Sequence, residues 1–130
     1  MNIETAINNG MNYLKINKIK SSRIDSEILM SKAIKKQREY VLLNLDKEID
    51  EEKIIYFYDL IKTRSKGKPI AYLLGKKEFW KYEFMISENV LIPRPDTELI
   101  VEQVLKIVKY KSNLKVLDIG VGSGCILLSI

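Results

Sequence analysis

Apolar residues recur three and four positions apart at the start of the chain, at Ile3, Ile7, Met11 and Leu14, and that spacing predicts an amphipathic helix from about Ile3 to Ile16. Ser22-Arg23-Ile24-Asp25 sets a hydroxyl and a carboxylate three residues apart, a capping-box pattern expected to open a second helix running through about Ile34. Asp50, Glu51 and Glu52 stand where a helix N-terminus favours acids, and Lys62, Arg64 and Lys66 where a C-terminus favours bases. A third helix is therefore expected from about Glu51 to Ser65. Gly67 ends it, and Pro69 starts a short helical turn that reaches Leu74 and closes at Gly75.

From Glu78 the period shortens to two. Tyr82, Phe84 and Ile86 alternate with Glu83 and Met85, and Val90, Leu91 and Ile92 follow the polar turn Ser87-Glu88-Asn89, which reads as a hairpin. Pro93-Arg94-Pro95-Asp96 ends it, because a residue before proline is pushed out of the helical region. Asp96 is placed to cap a further helix whose apolar face is Ile100, Val101, Val104, Leu105 and Val108. Leu114 to Asp118 reads as the first strand of a sheet, followed by a glycine loop and the start of another helix. The pattern thus divides into a helical bundle at 1–75, a β-hairpin connector at 76–95 and the beginning of an α/β segment at 96–130, a mixed fold class.

Composition narrows the chemistry. Apolar residues at 46% and charged residues at 30% describe a globular chain, and no run approaches the ~18 apolar residues of a membrane span. The N-terminus has no basic region followed by an apolar stretch, so no signal peptide is expected, no membrane association follows, and the cytoplasm is the default. Histidine is absent, which removes Ser–His and Cys–His catalysis and the commonest metal ligand; no metal site is expected. The single Cys125 reads as a small packing residue. The net charge of +5 is concentrated in residues 1–75, where lysine-rich solvated surface accounts for it as well as an acidic or nucleic-acid-bearing partner does.

Two segments carry the functional signal. Asp118-Ile119-Gly120-Val121-Gly122-Ser123-Gly124 places glycines at alternate positions between a strand and a helix, where the backbone can turn sharply and approach a small polar ligand. It is not the dinucleotide fingerprint, which needs its third glycine at the position of Cys125, and no Lys-Ser or Lys-Thr follows as in a P-loop. An acid followed by G-x-G-x-G resembles the first motif of class I S-adenosylmethionine-dependent methyltransferases. The second segment, Asn89 to Leu99, brackets Arg94 between two prolines and aims Arg94 and Thr97 in set directions. Its other reading is a rigid connector in which Arg94 pairs with Asp96 or Glu98.

Taken together with Arg64-Ser65-Lys66-Gly67-Lys68-Pro69-Ile70-Ala71-Tyr72-Leu73-Leu74-Gly75, Phe79 and Phe84, the Leu91 to Glu98 run and the Val116 to Gly124 run resemble the protein-glutamine methyltransferases that modify peptide-chain release factors. The likeness runs in order from about Ser22 to Ile130. It implies a helical substrate-docking domain, a β-hairpin connector and the truncated start of a Rossmann-like methyltransferase domain. By the resemblance, Gly120, Val121, Gly122, Ser123 and Gly124 line S-adenosylmethionine, with Arg94 and Thr97 nearby, and the substrate is the glutamine of a release factor's Gly-Gly-Gln loop. The family's catalytic Asn-Pro-Pro-Tyr does not occur in these 130 residues, so no catalytic residue is assigned and the chain itself is expected to be inactive. A non-catalytic release-factor-binding module and an adenine-specific nucleic-acid methyltransferase are the competing readings; the Leu91 to Glu98 run argues against the latter, and direct nucleic-acid binding is not expected.

Overall fold

A computed structural model describes residues 1–130. The chain divides into two compact units, Met1–Leu74 and Gly75–Ile130. The architecture is mixed and helix-rich, with one two-stranded antiparallel sheet. No helix is long and apolar enough to cross a membrane.

The first unit holds α1 (Ile3–Ile16), α2 (Ser22–Ile34), α3 (Arg38–Leu43), α4 (Glu51–Ser65) and α5 (Ile70–Leu74). The free N–H groups that begin α1 are each satisfied: Thr5 N–H donates to the Asn2 side chain at 2.9 Å, and Ile3 and Glu4 N–H donate to the carbonyls of Lys47 and Leu45. That pairing anchors residues 45–49 along the start of α1. The core beneath is formed by Ile3, Ala6, Ile7, Leu14, Leu29, Met30, Ala33, Val41, Phe57, Leu60 and Ile61. Gly10 lets α1, α2 and α4 approach closely, because a Cβ there would meet Phe57 Cζ and Ser26 Oγ at 2.8 Å.

The capping-box expectation for α2 is corrected. The N-cap is Ser21, whose side chain makes no capping bond to the helix backbone. Asp25 is instead a buried ion-pair partner, taking Arg64 Nε at 2.7 Å and Ser21 Oγ at 2.8 Å, while Arg64 Nη1 donates to the Lys68 carbonyl at 3.0 Å. Two residues on, the buried Glu27 carboxylate accepts Arg38 Nη2 at 2.6 Å and Arg23 Nε at 3.2 Å. Between them Ser26 Oγ donates to the Ile7 carbonyl at 2.9 Å. Three successive polar residues of α2 are thus buried, each with its partner, as burial demands. α3 was not anticipated: only Val41 of its six residues is buried, too short a stretch to express a helical period.

The second unit opens with β1 (Lys76–Phe79) and β2 (Tyr82–Met85), paired in the register Lys76↔Met85, Lys77↔Phe84, Glu78↔Glu83 and Phe79↔Tyr82. The expected hairpin, with Tyr82 to Ile86 turning at Ser87-Glu88-Asn89 onto Val90 to Ile92, does not form. The turn is at Trp80-Lys81, which puts Phe79 and Phe84 on one face with their rings 6.2 Å apart, and Ile86 N–H closes the ladder on the Gly75 carbonyl. Residues 90–93 run towards Pro93, which has no N–H to donate to a ladder. A 3₁₀ turn, Pro95–Thr97, precedes α6 (Glu98–Val108), so Asp96 lies within that turn and is not the helix cap. α7 (Cys125–Ser129) follows the glycine loop.

Leu114 to Asp118 is irregular, not the strand expected for a Rossmann-like sheet. A strand is held by hydrogen bonds to a neighbour, and none of the residues present pairs with this segment. Its apolar side chains remain exposed, Leu117 at 84%.

Two substitutions test the packing of the first unit. Gly10→Ala overpacks the α1–α2–α4 contact and is expected to cost about 1–3 kcal/mol in urea unfolding. Arg64→Leu leaves Asp25 buried without its cation and is expected to cost about 3–5 kcal/mol, whereas the double change Asp25→Leu, Arg64→Leu recovers most of that loss. A double variant no more stable than Arg64→Leu would show that the ion pair, not the unpaired charge, governs the cost.

Candidate functional site

The glycine loop is a backbone structure. Gly120, Gly122 and Gly124 all lie in the left-handed region, at φ +82°, +54° and +76°, while Val121 and Ser123 between them do not. Such an alternation turns the backbone sharply, the kind of conformation from which anion-receptive concavities are built. Around Gly120 no atom stands within 4 Å of where a Cβ would lie, and at Gly122 only the Gly120 carbonyl does, at 3.8 Å. The loop face is therefore open. Its end is fixed: Gly124 N–H donates to the Val121 carbonyl at 2.8 Å, and Leu128 N–H to the Gly124 carbonyl at 2.9 Å begins α7.

Asp118 belongs with this loop on structural grounds. Its Oδ2 has no solvent contact and no hydrogen-bond partner. A buried carboxylate oxygen without a donor costs free energy, so it is an acceptor available to a ligand amine or hydroxyl. The sequence signal was there, an acid two residues before the first glycine; its unpaired state was not legible.

The proline-bracketed segment has a different character. Pro93 is buried and Arg94 exposed, with Arg94 in an extended conformation (φ −94°, ψ 142°). Thr97 N–H donates to the Arg94 carbonyl at 3.1 Å, which closes the turn, and Thr97 is the N-cap of α6 without a side-chain capping bond. Arg94 forms no ion pair with Asp96 or Glu98; Glu98 Oε1 accepts the Trp80 N–H at 2.9 Å instead. The guanidinium and the Thr97 hydroxyl are left for other partners.

Packing relates the two segments. α6 begins directly after Thr97 and α7 directly after Gly124, and Val101 in the first turn of α6 shares a buried cluster with Cys125, the first residue of α7, together with Phe79 and Phe84. Arg94 and Thr97 thus share one turn, Gly120 to Gly124 form one loop, and a single cluster seats both.

Residues 5–75 match the family described as PrmC N-terminal domain. Along the whole chain, a release factor glutamine methyltransferase of Buchnera aphidicola subsp. Baizongia pistaciae is 42% identical over 127 residues, covering 95% of this chain and 46% of that protein. The protein of the same name from Clostridium acetobutylicum is 39% identical over 130 residues, covering all of this chain and 46% of its own length. That from Haemophilus influenzae is 41% identical over 121 residues, 89% of this chain and 41% of its own. The chain spans less than half the length of these curated relatives.

The sole cysteine reports on the seating of the loop. Gly124→Val forces a branched residue into the left-handed region and brings a Cβ to 3.3 Å from Leu128 Cδ1, which should detach α7. Strain of about 1–2 kcal/mol is expected to raise the reactivity of the buried Cys125 thiol with a disulfide reagent roughly tenfold. Unchanged reactivity would mean that Gly124 does not hold α7 in place.

Proposed function

The chain belongs to the family of the PrmC N-terminal domain, that of the release factor glutamine methyltransferases, and from this membership we propose that its residues serve transfer of a methyl group from S-adenosylmethionine to the side-chain amide nitrogen of the glutamine in a release factor's Gly-Gly-Gln loop. In this reading residues 1–75 dock the release factor, 76–95 connect, and 96–130 begin the S-adenosylmethionine-binding, Rossmann-like domain of a cytoplasmic enzyme. The observation that carries it is the shared cluster of α6 and α7, which seats the Arg94–Thr97 turn and the Gly120–Gly124 loop on one support.

The residues present suit the cofactor. Open glycines allow close backbone approach, the sharply turned backbone suits its carboxylate, and the unpartnered Asp118 oxygen suits its ammonium. Gly120, Val121, Gly122, Ser123 and Gly124 would hold it, with Arg94 and Thr97 supplying a cation and a hydroxyl. When bound, S-adenosylmethionine supplies an electrophilic methyl group on sulfonium. The chain's own residues bind and orient; they do not activate the nucleophile. An amide nitrogen is weakly nucleophilic because its lone pair is delocalised, so it must be positioned by acceptors for its hydrogens, and the tetrapeptide that the resemblance assigns to that task is absent from residues 1–130.

A non-catalytic release-factor-binding module remains the second reading, favoured by the self-contained core of the first unit. The two separate in one experiment. The 130 residues alone are expected to give no radiolabelled methyl transfer to a purified release factor. Grafted in place of the corresponding residues of the Clostridium acetobutylicum relative, they are expected to sustain it, and Gly122→Val in the graft should reduce turnover at least about a hundredfold by blocking close backbone approach. A graft that binds release factor but is indifferent to Gly122→Val would favour the binding module.

A further inference from the structure

The β1–β2 hairpin turns on Trp80, the chain's sole tryptophan, and Trp80 holds a left-handed backbone at φ +57°. A bulky aromatic residue stays in that region only where its surroundings over-determine it. Two contacts do so here. The side chain packs against the cluster of Phe79, Phe84, Val101 and Cys125, and the backbone N–H donates to Glu98 Oε1 at 2.9 Å. That bond reaches across eighteen residues to the first residue of α6, next to Thr97. A carboxylate suits the place, since the first helical turn carries the positive end of the helix dipole. Glu98 forms no ion pair; it accepts from a peptide N–H instead.

We infer that Glu98 is a positioning residue, whose bond to the Trp80 N–H fixes the Arg94–Thr97 turn relative to the glycine loop. The inference rests on the reading that these two segments together hold S-adenosylmethionine. Val101, with Leu105 one turn further on, packs α6 against the cluster that holds Cys125 and so Gly124, but these apolar contacts all lie C-terminal to Thr97 and leave the start of the helix without a directional bond. Glu98, three residues before Val101, supplies a second point of attachment on a different element. Two fixed points in the first turn of α6 set the direction in which Thr97 and, through the Thr97 N–H to Arg94 carbonyl bond, Arg94 are carried. Without the bond the hairpin tip loses the acceptor that compensates its strained conformation, and the turn loses its orientation.

The test compares Glu98→Ala and Glu98→Gln in the 130-residue chain, with Leu99→Ala as a control for disturbance at the start of α6. Amide exchange is read at Trp80 and Thr97, Trp80 near-ultraviolet circular dichroism gives a single-residue signature, and S-adenosylmethionine is titrated calorimetrically. Glu98→Ala is expected to speed exchange at both amides about tenfold, to weaken the Trp80 signal and to weaken cofactor binding about tenfold, with helix content retained. Glu98→Gln keeps an oxygen that accepts from Trp80 and is expected to stay within about twofold of wild type in each. Should Glu98→Ala unfold, Glu98→Ser replaces it, since the shorter side chain does not reach Trp80. Faster exchange at Trp80 with Thr97 unmoved would overturn the positioning role, as would a wild type and Glu98→Ala that bind S-adenosylmethionine equally. If the wild type binds none, the cofactor reading fails, and the exchange at Thr97 still decides whether Glu98 orients the turn.

Discussion

An extended segment can satisfy its backbone only against a neighbour, whereas a helix satisfies its own, and that asymmetry orders this structure. The first unit is built from helices, and the groups left over at the start of α1 are taken by Asn2 and by the carbonyls of Leu45 and Lys47. In the second unit β1 and β2 have each other, with a two-residue turn short enough to form locally. Leu114 to Asp118 has no such neighbour among the residues present and stays irregular despite an apolar composition that suits a strand. Composition selects a candidate state; hydrogen-bond partners decide whether it forms.

The same rule explains what was legible in the sequence. α1 was readable from its repeated apolar period and α4 from the acids and bases at its two ends, while α2 was placed by a Ser22–Asp25 pattern whose acid turns out to serve another bond. α3 is under two turns and buries one side chain, so it leaves no periodic trace. In the hairpin the alternation held at Phe84 and Ile86, which are buried, but not at Tyr82, which is exposed beside the turn, and alternation names a face and not a partner. The partner strand Lys76–Phe79 reads as a polar run with one aromatic residue, and only Phe79 opposite β2 betrays it. For the site, the two segments were legible as motifs, while the support that joins them depends on Val101 meeting Cys125 and on Trp80 meeting Glu98, pairs separated by 24 and 18 residues.

Buried charge was the least legible feature. Asp25 and Glu27 have the composition of a solvated helix face, yet their side chains are 6% and 5% exposed. Their partners Arg64 and Arg38 lie 39 and 11 residues away. Buried pairs of this kind add little net stability, because desolvation offsets much of the attraction, but misplacing either partner is costly. They therefore act on arrangement more than on strength. Arg64 ties α4 to α2 while also taking the Lys68 carbonyl, so the α4–α5 connection is referred to the middle of the bundle.

The glycine loop separates what is encoded locally from what is encoded by packing. With nothing within 4 Å of a Cβ at Gly120 and a single carbonyl near Gly122, no packing forces those residues into the left-handed region; the glycines themselves make it accessible. The loop's curvature is thus a property of five residues. Its placement is not, because it hangs from Cys125, which is held by Val101, Phe79 and Phe84 from α6 and the hairpin. In the proposed reading, a ligand that bridges the loop and the Arg94–Thr97 turn meets both at once: local sequence supplies the open backbone, and the cluster with the Trp80–Glu98 bond beside it supplies the support. Changes in the glycines therefore alter how closely a ligand can approach, and changes in the cluster alter whether its two ends are met together. Measured separately, the first acts on the loop alone and the second on the coupling between segments, and that distinction allows an interdependent site to be taken apart residue by residue.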